Sequence, residues 1–186
     1  MSSSSTPTHV PTRRLHTVGG GTITLPDPDV LTHLQFRRFA GCPICNVHLQ
    51  SFVRRHHEVE AHGIREVVFF HSSAAELSVH TEGLPFTVIA DPDKRYYREF
   101  GVESGPRALL DPRAWGGIVR GVAATLSGRF RAPALSPEGG RLGLPADFLI
   151  DPGGVVLAAK HGRHADDQWS VDDLLATARA ARRTTA

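Results

Sequence analysis

The chain has only two cysteines, Cys42 and Cys45, with two residues between them. Two thiols at this spacing cannot staple a small domain together, so the chain must rely on an apolar core. The material for one is present. At 186 residues, 40% hydrophobic and 22% charged, with a net charge of +2, the composition is that of one globular domain rather than a disordered chain. No basic run longer than a pair of arginines precedes the final helix, so nucleic acid is not an expected partner. No apolar run approaches the roughly 20 residues that a membrane-spanning helix needs, so no membrane role is expected either. Residues 1–11 are rich in Ser and Thr and lack the apolar stretch of a secretory signal. The expected compartment is the cytoplasm, where thiols stay reduced.

In that setting a lone C-x-x-C reads as a redox pair or as half of a metal site. The flanking residues favour redox. Leu34 to Phe39 reads as a strand, and Gly41 permits a sharp turn. Apolar residues then fall at Cys45, Leu49, Phe52, Val53 and Val59, close to helical spacing. Pro43 suits the first helical position, which makes Cys42 the N-cap. There its sulfur would face the unpaired N–H groups of the first turn and the positive end of the helix dipole, and both favour thiolate. Cys45, one turn inside and expected to be the more buried, is within reach for a disulfide. Cys42 is therefore the expected nucleophile and Cys45 the resolving thiol.

A metal site is the rival. Cys42, Cys45 and His48 follow C-x-x-C-x-x-H, with His56 and His57 further along. Those two lie roughly 16–18 Å beyond Cys45 on a helix rising 1.5 Å per residue, too far to close a tetrahedron. Asn46 stands where a c-type haem motif needs His. No metal and no cofactor is expected.

Further strands are predicted over Ile64–Phe70 and Phe86–Ala90, with a capping box at Ser73–Glu76 opening a short helix between them. Asp91 and Pro92 are expected to start a helix that stops at Gly101. Phe148–Ile150 and Val155–Ala159 flank the turn Asp151-Pro152-Gly153-Gly154 as a hairpin, and Ser170 caps a last helix. Alternating strands and helices imply an α/β fold with a parallel sheet, to which the hairpin adds an antiparallel edge. Residues 1–21 read as a flexible N-terminal arm and 22–186 as the domain. An insertion over 102–144 contains an apolar stretch near Trp115–Leu126, either a partner surface or packing over a sheet edge.

Taken together, F-A-G-C-P-I-C between strand and helix, the segment L-P-A-D-F-L-I-D-P-G-G-V-V, and the extra βα unit from Ile64 to Gly101 resemble the thioredoxin fold. More closely, they resemble the peroxiredoxin-like branch of the alkyl hydroperoxide reductase / thiol-specific antioxidant (AhpC/TSA) family, over Leu34 to Arg182. The resemblance implies a thioredoxin-like central mixed sheet flanked by helices, with the insertion before a cis-proline strand. It implies that Pro145 is that cis proline, facing Cys42 and Cys45, and that Leu144, Phe39 and Pro43 line the substrate site with it. It implies a thiol-dependent oxidoreductase that reduces hydroperoxides or disulfides. Its partners would be its substrate and a thioredoxin-type or low-molecular-weight thiol reductant, and a homodimer is compatible with it.

The chain departs from that family at two places. Phe39 stands where peroxiredoxins carry a peroxide-binding Thr, three residues before the nucleophile, and Pro145 stands where they carry an Arg. Arg37, Arg38, Arg107 and Arg141 are the candidates to replace that charge. His48 and His71 are placed to tune a thiol or carry a proton. The departures keep two other readings open: a redox-sensing or partner-binding module that has kept the fold, and a dithiol tailoring enzyme of secondary metabolism.

Overall fold

The computed structural model describes residues 6–102, 104–105, 107–128, 130–134, 137 and 140–185. A hairpin of β1 (Arg13–His16) and β2 (Thr22–Leu25) precedes β3 (Leu31–Phe36), α1 (Pro43–Arg54), α2 (His56–Ala61) and β4 (Ile64–Phe70). Next come α3 (Ala74–Ser78), β5 (Thr87–Ala90), α4 (Arg95–Glu99), α5 (Arg107–Leu110), a 3-10 turn and α6 (Trp115–Leu126). The chain closes with β6 (Ala146–Ile150), β7 (Val156–His161) and α7 (Val171–Thr185).

Five strands form one sheet in the order β5-β4-β3-β6-β7. β3, β4 and β5 are parallel, and β6 and β7 supply the antiparallel edge that the Asp151 turn predicts. Central β3 is buried at all six positions, as befits a strand covered on both faces. One face gathers Leu49, Phe52, both cysteines and the apolar side of α7 in one cluster. The other gathers Phe36, Phe69, Phe100 and Phe148.

β3 spans Leu31–Phe36 rather than Leu34–Phe39. Arg37 still donates its N–H to Phe69 O, but beyond it the chain turns toward α1. The polar residues Thr32, His33 and Gln35 hide this strand's start from a hydrophobicity reading. The expected helix from Asp91 begins instead at Arg95, because Lys94 takes φ 55°. Asp91 nonetheless caps it, its carboxylate accepting the N–H groups of Arg95, Tyr96 and Tyr97.

Two expectations need correction. Residues 6–21 are not a flexible arm. Val10 donates to Gly154 O, Val156 donates to Thr8 O, and the β1–β2 turn reaches the sheet edge through Val18 N–H to Val88 O. Val10 and Leu15 are buried there, two apolar anchors that the surrounding polar residues obscure. Residues 1–5 of the expected arm lie outside the described residues. Second, the bond before Pro145 is not cis; the cis bond among the described residues joins Leu25 and Pro26. Pro145 runs straight into β6, whose first residue Ala146 already pairs with Phe36 and His161. An extended trans proline can lead a strand because the ladder asks no N–H of it there.

Candidate active site

Between β3 and α1 the chain makes the turn that sets the chemistry. Gly41 has φ +71°, a conformation that disfavours a side chain, and a Cβ there would come within 2.6 Å of the His80 ring. Cys42 follows as the N-cap of α1 and Pro43 opens the helix. Cys42 Sγ accepts the Cys45 N–H at 3.4 Å and the Cys45 thiol at 2.7 Å, and both cysteines are free thiols. Arg38 Nη1 approaches the same sulfur at 3.7 Å.

These contacts split the two thiols. Burial alone pushes Cys42 up. The Cys45 thiol, the Arg38 charge and the first-turn N–H groups outweigh it, bringing Cys42 down to about 7. Cys45 moves the other way, well above the ordinary thiol range, because it is buried and faces the Cys42 charge. Cys42 is no more exposed than Cys45: both are sealed from solvent.

The insertion supplies the seal. Buried Gly121 lets α6 lie directly on the start of α1, since a Cβ there would sit 2.7 Å from the Pro43 carbonyl carbon, while buried Gly117 on the same helix leaves room for the Asp166 carboxylate. The strap after α6 crosses the turn, bringing the Pro133 backbone to 3.0 Å from where a Gly41 Cβ would be. Arg141 Nη2 holds this strap by donating to Ala134 O at 2.7 Å. Arg38 Nη2 in turn donates to Arg141 O. A single guanidinium thus touches both the Cys42 sulfur and the segment that covers it.

Of the candidate arginines whose side chains are described, Arg38 is therefore the one at the sulfur. Arg37 points under the helix and Arg141 stacks over Phe39 at 5.3 Å. The side chain of Arg107 lies outside the described residues. Phe39 is buried between Arg141 and Arg38, whose guanidinium is 5.2 Å from its ring. Pro43 is half-buried at the helix start. Leu144 and Pro145 are buried just before β6, the Pro145 ring against Gly162, and this segment meets the thiol site through Arg141.

Beneath α1 lies a buried polar network. Arg37 Nη2 donates to Asp147 Oδ1 at 2.7 Å, Gln35 Oε1 at 2.6 Å and His48 Nε2 at 3.2 Å. His33 Nε2 is 3.2 Å from the same Asp147 oxygen, while Asp147 Oδ2 accepts the Trp169 N–H at 3.0 Å. Gln35 Nε2 donates to Glu66, whose other oxygen is 3.0 Å from His56 Nδ1. Burial disfavours a charge on Asp147, but Arg37 and His33 prevail and hold its carboxyl below the usual range. His33 is also buried against its charge, yet Asp147 and Glu66 raise it above the ordinary imidazole value.

His48 falls well below its ordinary value through loss of solvation and the neighbouring Arg37. A neutral imidazole has one acceptor nitrogen, and Arg37 occupies it, so His48 has no free site for a cysteine proton. His71 is buried against Tyr97, with ring centroids 5.5 Å apart. The sequence reading missed this network and Tyr97, whose hydroxyl donates to Arg37 O and Phe69 O. One signal was available: Asp147, Glu66, Gln35 and His33 interrupt strands that otherwise read as core.

Among the described residues, no three His, Cys, Asp or Glu side chains are grouped to hold a metal ion. A cavity of about 710 Å³ lies at the starts of β4 and β5, at the opposite strand ends from the cysteines. A smaller one of about 260 Å³ borders Gly41.

A family model described as AhpC/TSA antioxidant enzyme matches residues 51–164, a span that begins after both cysteines. Among solved structures, the peroxidoxin BcpB from Mycobacterium tuberculosis aligns with a TM-score of 0.65 at 18% identity, covering 92% of this chain and 94% of that one. The reduced 2-Cys peroxiredoxin of Plasmodium vivax gives 0.66 at 13% identity, over 95% of this chain and 81% of that one. A putative thiol:disulfide interchange protein DsbE from Chlorobium tepidum gives 0.57 at 18% identity, over 95% and 97%. No curated protein sequence matches significantly. At these identities the structures establish the fold, which is thioredoxin-like.

Proposed function

Because the chain belongs to the AhpC/TSA antioxidant enzyme family, we propose that it is a thiol-dependent oxidoreductase that cycles Cys42 and Cys45 between dithiol and disulfide. The observation that carries this is the placement of one sulfur at the N-cap of α1, 3.4 Å from the Cys45 nitrogen and 3.7 Å from Arg38. Such a sulfur is substantially ionised near neutral pH and is the nucleophile of the pair.

With a hydroperoxide, Cys42 thiolate attacks the terminal oxygen. The O–O bond breaks, an S–O bond forms, and the alkoxide leaves as alcohol after taking a proton. Cys45, its proton lost, then attacks the sulfenic sulfur; the S–S bond forms and water leaves. With a disulfide substrate, Cys42 forms the mixed disulfide and Cys45 displaces the second thiol. A thiol reductant restores both cysteines. Phe39 offers no hydroxyl to the peroxide, so Arg38 and the first-turn N–H groups are the donors on hand.

Stoichiometric peroxide should remove about 2 Da from the intact protein as the bridge closes, read by mass spectrometry. Cys42→Ser should abolish turnover, and Cys45→Ser should stop at a trappable sulfenic acid. Full activity in Cys42→Ser would sink the mechanism.

The seal over Cys42 favours a second reading, a redox sensor whose bridge forms but does not turn over. Multiple turnovers with a regenerating thiol exclude it, and a single stoichiometric oxidation supports it.

A further inference from the structure

The cavity beside Gly41 is not used by the chemistry above, and its walls suggest a use. It holds about 260 Å³, less than a drug-sized pocket. Its floor is apolar, with Leu49, Phe70 and Leu77, so the body of a small organic molecule can sit on it. Its rim is polar: Gln50 from α1, His80 after α3 and Arg131 from the strap. The His80 ring lies against Gly41, the residue before the nucleophile, so the cavity stops next to the Cys42 turn.

Charge selects the occupant. Burial, and then the nearby charge of exposed Arg131, hold His80 below the ordinary imidazole value, so the cation at this rim is the guanidinium. Further in, Arg38 meets a sulfur and a carbonyl oxygen, neither of them a carboxylate, and adds a second positive charge at the reacting atom. Glu82 also lines the cavity and Glu76 acts on His80 from α3, and both oppose this field, but neither stands at the reacting sulfur, where Arg38 does.

We infer that this cavity is an anchoring subsite for a small thiol bearing a carboxylate, the reductant that reopens the Cys42–Cys45 bridge. The inference rests on the dithiol cycle proposed above. The carboxylate lies at Arg131, the carbon chain lies over Leu49 and Leu77, and the sulfur reaches past His80 toward Cys42. The reductant's thiolate attacks Cys42 Sγ, the S–S bond to Cys45 breaks, and Cys45 leaves as thiolate and takes a proton. A second molecule of the thiol attacks the reductant sulfur of the mixed disulfide. Cys42 is released as thiolate, and two thiols have become one small disulfide.

Three thiols of nearly equal size test the charge: 3-mercaptopropionate, 2-mercaptoethanol and cysteamine. The full-length protein, oxidised to the bridge, is mixed with each, and the reduction rate is taken per thiolate and relative to the rate with a small reference disulfide. In the unchanged protein the order should be anion, neutral, cation, with about fivefold or more between the first two. Arg131→Glu should reverse the order. Gln50→Glu places a carboxylate in the same cavity without touching Arg131, and it should also erase the preference. A charge-blind ranking in the unchanged protein, or one that survives both variants, overturns the subsite while leaving the dithiol cycle intact. Failure to form a Cys42–Cys45 bridge overturns the cycle itself, and this inference with it.

Discussion

Helix α1 is held from two sides, and the two sides are built differently. Toward the sheet, Arg37, Asp147, His33, Gln35 and Glu66 are all buried and share hydrogen bonds or ion pairs. Toward the insertion, α6 meets α1 by close backbone approach at Gly121, and its polar tie runs elsewhere, from Arg120 to Asp166 at 3.0 Å. The outer face of α6 shows Trp115, Val119, Val122 and Leu126 to solvent, Leu126 at 84%. A network of buried charges tolerates little displacement, since each group moved leaves another unpaired. A contact made by shape alone can part and re-form at lower cost. The sheet side therefore fixes where the Cys42 end of α1 sits, and the insertion side covers it.

The largest expected effect is on the sheet side. Asp147→Ala leaves Arg37 and His33 without their shared acceptor in the core and should cost about 3–5 kcal/mol, read by urea unfolding. A loss under 1 kcal/mol would erase the contrast between the two sides.

Arg38 joins the sides, and its removal should have an intermediate effect. Alkylation proceeds through the thiolate, so the rate at Cys42 should rise with pH and reach half its maximum near the value of about 7 that this site sets. Arg38→Met removes a stabilising charge, so the midpoint should move upward, by about one unit, with reactivity at pH 7 falling about fivefold. Iodoacetamide labelling of the reduced protein across pH, with the modified cysteine located by peptide mass spectrometry, measures it. An unmoved midpoint would leave Cys42 activated by the Cys45 thiol and the helix end.

The smallest effect belongs to the outer face of α6. Val119→Ser and Leu126→Ser remove exposed side chains and should change stability by no more than about 0.5 kcal/mol. A larger loss in thermal unfolding would mean that this face is covered in solution.

Legibility followed the range of the interactions. Cys42 as N-cap, Pro43 as first helical residue and Cys45 one turn deeper were readable because each depends on neighbours within four positions. The order of strands and helices from β3 to α4, and again from β6 to α7, was readable for a similar reason, since period and punctuation are local, whereas the break between α1 and α2 and the helices of the insertion, α5 and α6, were not. The start of β3 was not, because His33 and Gln35 look unlike core until Asp147 and Glu66 are placed beside them. The hairpin near the N-terminus was not, because Val10 and Leu15 become anchors only against Gly154 and the sheet.

By itself, then, the sequence determined a helix that starts on one sulfur and carries the second a turn away. A helix end and a three-residue spacing carry their physics with them wherever the chain goes. Tertiary structure alone decided that Arg38, rather than Arg37 or Arg141, serves that sulfur, and that a segment about a hundred positions further along seals it. Arg38 and the Arg141 carbonyl that anchors it are 103 positions apart. No local pattern encodes such a meeting, because it depends on how the whole sheet brings the two segments together.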